Sequence, residues 1–294
     1  MGWRSNVARA CATLFAMAVI VSGCGDDEGE VAGTDDAAQN EPANEKSAVA
    51  PDMSVVVLGD SIPYNSPEDC SGCVGFADSY GEALGEELGE PVGVKNLSRH
   101  DGARTRDIVD QLTSGELTEP LASADVVILS VGLNDQPPYV YRDQPCRADE
   151  PATDAEAIDA VTATTLECVD TMTDTLQRTM SRGLSEVRAQ APDAAVAALV
   201  PYDTWNGWKG FDGIRVVKGR SALRVVTYAL DTWRTALCAA VALVDGECVD
   251  LYGAFNGSNG RQPAGDLLAS DYTHPSQQGN DLIRDLLLSA RLLG

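Results

Sequence analysis

Three stretches of this chain are apolar at nearly every position and too short for a helix of ordinary length: SVVVL at 54–58, DVVILSV at 125–131 and AAVAALV at 194–200. A strand with one wet face alternates polar and apolar residues. Uninterrupted apolar runs mark strands covered on both faces, as in a parallel sheet, and the run at 54–58 is β-branched as well. Between the runs the spacing becomes helical, with Phe76, Tyr80, Leu84 and Leu88 along Gly75 to Leu88. Val92 to Leu97 reads as another strand and Ala103 to Leu112 as another helix. A polar, Pro-containing loop at Gln136 to Thr153 precedes one long helix from Ala155 to Ala189. A Trp- and Gly-rich loop from Tyr202 to Gly213 leads into a helix at Ser221 to Ala239, and Cys248 to Tyr252 makes a short fifth strand. Pro275 to Leu293 closes the chain as an amphipathic helix, and no internal repeat is present. Strands alternating with helices predict an α/β chain: a three-layer α/β/α sandwich around a parallel sheet of about five strands. Ligands bind such sheets beyond the carboxyl ends of the strands.

The first fifty residues differ from this pattern. Arg4 and Arg9 precede an apolar run from Leu14 to Val21, too short to span a bilayer comfortably, which ends in Val21-Ser22-Gly23-Cys24. This resembles a bacterial lipoprotein signal. The resemblance implies removal of residues 1–23, lipidation of Cys24 and a membrane anchor made by acyl chains. The protein is thus expected to be exported and held at the bacterial cell surface or the periplasmic face of a membrane. Residues 24–52 then form a tether, with nine acids after Cys24, one Lys46 and little that is apolar. Such a segment cannot bury enough surface to offset its ordering entropy.

The chain carries 45 acidic and 21 basic residues. Taking away the nine acids of the tether and Arg4, Arg9 and Lys46 leaves 36 acids against 18 bases, so residues 53–294 still carry a charge near −18. Nucleic acid is excluded as a partner on that ground, and anionic lipid headgroups would be repelled. A monomer is expected.

Cysteine usage agrees with export. Beyond Cys11 and Cys24 there remain Cys70, Cys73, Cys146, Cys168, Cys238 and Cys248, an even set that predicts three disulfides in an oxidising compartment. Sequence alone allows fifteen connectivities for six cysteines. Spacing suggests Cys70 with Cys73, Cys146 with Cys168, and Cys238 with Cys248. A zinc site on Cys70-x-x-Cys73 would need further soft ligands, and neither a second CxxC nor a histidine pair exists. No metal is therefore expected.

Chemistry enters at the strand ends. Gly59-Asp60-Ser61 follows the first run, so Ser61 emerges where substrates bind, although a turn and helix cap would use the same residues. A serine needs a base, and the chain has only two histidines. His274 lies in Asp271-Tyr272-Thr273-His274-Pro275, where an aspartate three residues earlier can accept the Nδ1 hydrogen and leave Nε2 for the serine, and Pro275 suits the first turn of the next helix. Gly132-Leu133-Asn134-Asp135 follows the third run, placing a side-chain amide where an oxyanion would form. Gly102, after the second strand, is the least specific of the four. His100 reads as a surface residue near that loop. Trp205, Trp208, Tyr139 and Tyr141 read equally well as pocket walls or as local packing.

These blocks, in this order, resemble the SGNH or GDSL hydrolase family over residues 54–290, with Ile62 where the family name implies leucine. No Gly-x-Ser-x-Gly elbow or phosphate loop is present. The resemblance implies a flavodoxin-like α/β/α domain and a serine esterase or lipase that needs no cofactor. Ser61 would be the nucleophile, with His274 and Asp271 completing a triad and Ser61, Gly102 and Asn134 an oxyanion hole. The substrate would be a small-molecule, lipid or carbohydrate ester. Two other readings stay open: a carbohydrate O-acetyl esterase or acyltransferase of the same fold, and a non-catalytic binding lipoprotein.

Overall fold

The structure is a computed structural model that describes residues 53–137, 151, 153–211 and 216–293. The signal segment, Cys24, the tether, Tyr139, Tyr141 and Cys146 lie outside the described residues. In chain order the elements are β1 (Met53–Gly59), α1 (Ser61–Tyr64), α2 (Phe76–Leu88), β2 (Val92–Asn96), α3 (Thr105–Ser114), α4 (Thr118–Ala122), β3 (Val126–Ser130), α5 (Asp154–Ala163), α6 (Leu166–Gln190), β4 (Ala195–Val200), α7 (Val216–Ala242), β5 (Glu247–Asp250), α8 (Leu251–Asn256) and α9 (Gln277–Ser289).

All five strands run parallel in the order β2-β1-β3-β4-β5. The apolar runs behave as their composition demands: Val55 to Leu58 and Val126 to Ile128 have no exposed surface. Successive side chains serve opposite layers. Val56, Leu58, Val127, Leu129, Val196 and Ala198 pack in the core under α3, α5, α6 and α7. Val55, Val57, Val126, Ile128, Ala197 and Leu199 pack in the core under α2, α8 and α9. This is the three-layer α/β/α sandwich that the alternation predicts. Strand order reverses between β1 and β3, which opens a crevice at their carboxyl ends.

Three expectations need correcting. The single helix predicted for Ala155 to Ala189 is two, α5 and α6, because two threonines interrupt it. The Thr164 hydroxyl donates to the Ala160 carbonyl at 2.9 Å, and the Thr165 hydroxyl caps α6 by accepting from the Cys168 N–H at 3.1 Å. The fifth strand stops at Asp250, whose carboxylate accepts from the Gly253 N–H at 3.0 Å and starts α8, so Tyr252 is helical. Pro275 does not open the last helix: Ser276 caps α9, and Pro275 pairs with Leu268 in an isolated antiparallel bridge. Cys70–Cys73 and Cys238–Cys248 are bonded as spacing suggests, and Cys168 is also disulfide-bonded.

Candidate active site

The carboxyl ends of β1 and β3 almost touch. The Asp60 N–H donates to the Ser130 carbonyl at 3.1 Å, and a β-carbon at Gly59 would collide with that same oxygen, so only glycine fits there. The chain then turns into α1, with the Asp60 carboxylate capping the Ile62 N–H at 3.0 Å and Ser61 as the first helical residue. Burial of the Asp60 carboxyl pushes its pKa up to about 7, against the pull of the Ile62 amide and the charge of His274.

At the end of β3, Gly132 takes φ 120°, and a β-carbon there would press on the Trp233 indole. A short 3₁₀ turn, Leu133–Asp135, follows. Its buried Asp135 carboxylate accepts from both the N–H and the hydroxyl of Thr105 at 2.8 Å, tying the turn to the start of α3. Burial raises the Asp135 pKa to about 6, opposed by Thr105. Asn134 donates through Nδ2 to the Ala103 carbonyl at 3.0 Å, which brings its amide beside the Gly102 segment. Gly102 itself is exposed at φ 72°, a conformation that suits glycine.

The loop before α9 is held largely by its own backbone. The Ala269 N–H donates to the His274 carbonyl at 2.8 Å, and the Tyr272 N–H to the Ala269 carbonyl at 3.0 Å, with Tyr272 at φ 61°. One side-chain tie comes from outside the loop: the Tyr202 hydroxyl donates to the Thr273 carbonyl at 2.9 Å. Asp271 uses one oxygen to accept the Thr273 and His274 amides at 3.0 and 3.1 Å. Its other oxygen accepts the His274 Nδ1 hydrogen at 2.5 Å. That bond leaves Nε2 as the acceptor, and the Ser61 hydroxyl lies 2.9 Å from it.

Electrostatics follow this geometry. Burial favours a neutral His274, but the hydrogen bond and charge of Asp271, helped by Asp69 and Asp60, outweigh it and hold the imidazole above the ordinary histidine value. Burial likewise opposes ionisation of Asp271, yet hydrogen bonds from His274 and Thr273 keep its carboxyl below the usual range. A hydroxyl on an imidazole that is oriented by a carboxylate can lose its proton as it attacks an electrophile.

The sequence reading missed Asp69. This residue precedes the Cys70–Cys73 disulfide, and its Oδ2 lies 2.8 Å from His100 Nε2 and 3.5 Å from His274 Nε2. The CxxC beside it was the available signal. His100 is exposed, as expected of a surface residue, but it sits at the rim with its ring centroid 6.3 Å from that of His274. Trp205 is buried and Trp208 packs against the same core with it, so these rings serve local packing.

Comparison with known proteins agrees with the fold. Residues 57–282 match the GDSL-like lipase/acylhydrolase family. A lipase from a goat rumen metagenome superposes with a TM-score of 0.59 at 18% identity, covering 82% of this chain and 99% of that one. An extracellular lipase from Streptomyces rimosus gives 0.54 at 18%, covering 81% and 99%. No curated protein sequence matches this chain.

Proposed function

The chain belongs to the GDSL-like lipase/acylhydrolase family, and we propose that it is a serine esterase working through Ser61, His274 and Asp271. One observation carries the reading: Ser61 Oγ, His274 and Asp271 are joined by hydrogen bonds of 2.9 and 2.5 Å. Ser61 Oγ attacks the acyl carbon while its proton passes to His274 Nε2. The tetrahedral oxyanion is received by the N–H groups of Ser61 and Gly102 and by the Asn134 amide. Asn134 spends one of its two N–H groups on the Ala103 carbonyl, which orients the other. His274 then protonates the leaving alkoxide, and water, activated by the same imidazole, releases the acid and frees Ser61.

The substrate class in this proposal is a small-molecule or lipid carboxylic ester, and the setting is the bacterial cell surface or the periplasmic face of a membrane, with Cys24 as the acylated anchor. The lipase names of the two solved structures support the ester without naming one for this chain. An organophosphonate should label Ser61 one-to-one, and Ser61→Ala should lose at least about 10³-fold in turnover of p-nitrophenyl esters. A parent that stays unlabelled, or a Ser61→Ala variant as active as the parent, overturns the proposal in favour of a binding protein. The same ester panel extended to acetylated sugars separates a lipase-like preference from a carbohydrate esterase. Cys24→Ser should release the protein from membranes.

A further inference from the structure

Both histidines of this 294-residue chain face one carboxylate oxygen. We propose that Asp69, His100 and His274 form a site for a divalent transition-metal ion, best matched by zinc, and that the bound ion switches the enzyme off by capturing His274. Inhibition rests on the esterase reading, whereas the metal site does not.

Three loops converge to make the site: the one after α1 with Asp69, the one after β2 with His100, and the one before α9 with His274. The last two are registered against the rest of the fold, since the Arg99 N–H donates to the Gly59 carbonyl at 3.0 Å and His274 meets Ser61. One ligand atom from each residue lies within 4.8 Å of the others. Zinc binds nitrogen and oxygen at 2.0–2.2 Å, so ligand atoms on a tetrahedron stand about 3.3 to 3.6 Å apart. The Asp69 oxygen stands 2.8 Å from one imidazole nitrogen and 3.5 Å from the other, so the closer pair must part by roughly 0.5–0.8 Å, while the two imidazole nitrogens, within 4.8 Å of each other, must come to the same tetrahedral spacing. Two imidazoles and a carboxylate are a zinc donor set that keeps a fourth position for water.

The surroundings resemble a prepared metal site. Asp271 already accepts the Nδ1 hydrogen of His274, the outer-shell arrangement that orients a ligating histidine and leaves Nε2 bearing its lone pair. Tyr64 stacks on His100 with centroids 5.2 Å apart. The Asp69 loop is closed by the Cys70–Cys73 disulfide and by the Asn65 amide on the Cys73 carbonyl at 3.1 Å. The His100 side chain is 34% exposed and that of Asp69 15%, so a hydrated ion can reach both. A chain of net charge −24 concentrates cations around it.

Inhibition follows from a shared lone pair. His274 Nε2 can accept the Ser61 proton or bind the ion, but not both. Calorimetry with zinc on the tag-free, chelator-treated full chain carrying Ser61→Ala reads binding without activity. It should give one-to-one binding that weakens at least about tenfold when His100→Ala is added, since even loss of an outer-shell partner costs that much. His100→Gln and Asp69→Asn repeat the test with less disturbance of folding. In ester turnover, the parent should be inhibited by zinc and restored by chelator, while His100→Ala keeps the basal rate and needs at least about tenfold more zinc. Equal zinc affinity in the presence and absence of His100 overturns the site. His100-dependent binding that leaves ester turnover unchanged overturns the inhibition. If the esterase reading alone fails, His100-dependent zinc binding persists; if the zinc site alone fails, ester turnover persists without His100-dependent zinc sensitivity.

Discussion

Ser61 and His274 meet across the crevice, yet they are carried by different kinds of structure. Ser61 follows β1, whose Val55 to Leu58 are wholly buried, and it is registered by the close approach of Gly59 and Asp60 to Ser130. His274 rides on a loop between Leu268 and Pro275, shaped by backbone turns, by Asp271 bonding its own neighbours and by the Tyr202 hydroxyl. One side draws its position from burial against both helical layers, and the other from hydrogen bonds made mostly within a few residues, with the Tyr202 hydroxyl as the long-range exception. Substitutions on the loop side should therefore act on activity and its pH profile, and those on the strand side on stability as well.

The sharpest test of this contrast is Asp271→Asn. Losing the carboxylate removes the orientation and the charge that support His274, and turnover should fall on the order of 10²–10⁴-fold with little change in melting temperature. An equal loss of stability would show that the loop is not locally held. Next, Asn134→Ala should cost roughly 10²–10³-fold in kcat through the lost oxyanion donor, read by steady-state kinetics. Unchanged kcat would remove Asn134 from the site.

A smaller effect concerns pH. In the proposed mechanism His274 is a base only when neutral, and its pKa is raised, so activity should fall as pH drops through a value above about 6.5, and that limb should move down in Asp271→Asn. A parent limb below 6.5 would contradict the dominance of Asp271 over burial. The smallest effect is expected at Asp60→Asn. Asp60 titrates near 7 when folded and lower when unfolded, so the native state binds the extra proton and stability declines as pH rises between those values. Asparagine keeps the cap on Ile62 and removes that decline. Thermal denaturation should show a gain of at least about 2 °C at pH 8 and much less at pH 5.

Much of this molecule was legible before folding was considered. The apolar runs announced β1, β3 and β4, because a strand buried on both faces has no polar face to alternate with. Asp271 and His274 were legible because they are three residues apart and interact within one turn of chain. Less legible was the break between α5 and α6, where two threonine hydroxyls compete with an otherwise continuous helical pattern. The Asp135 link to Thr105 was hidden for another reason: its partners are 30 residues apart and meet only because α3 packs in one core with β1 and β3.

The sequence by itself determined the layer architecture, the strand that leads to Ser61 and the orientation of His274 by Asp271, since each depends on periodicity or on near neighbours. Tertiary structure alone decided that Ser61 and His274, 213 residues apart, are hydrogen-bonded, and that Asp69 and His100, separated by 31, stand beside them. Parallel strands bring distant loops to one sheet edge, and no local pattern records which side chains will meet there.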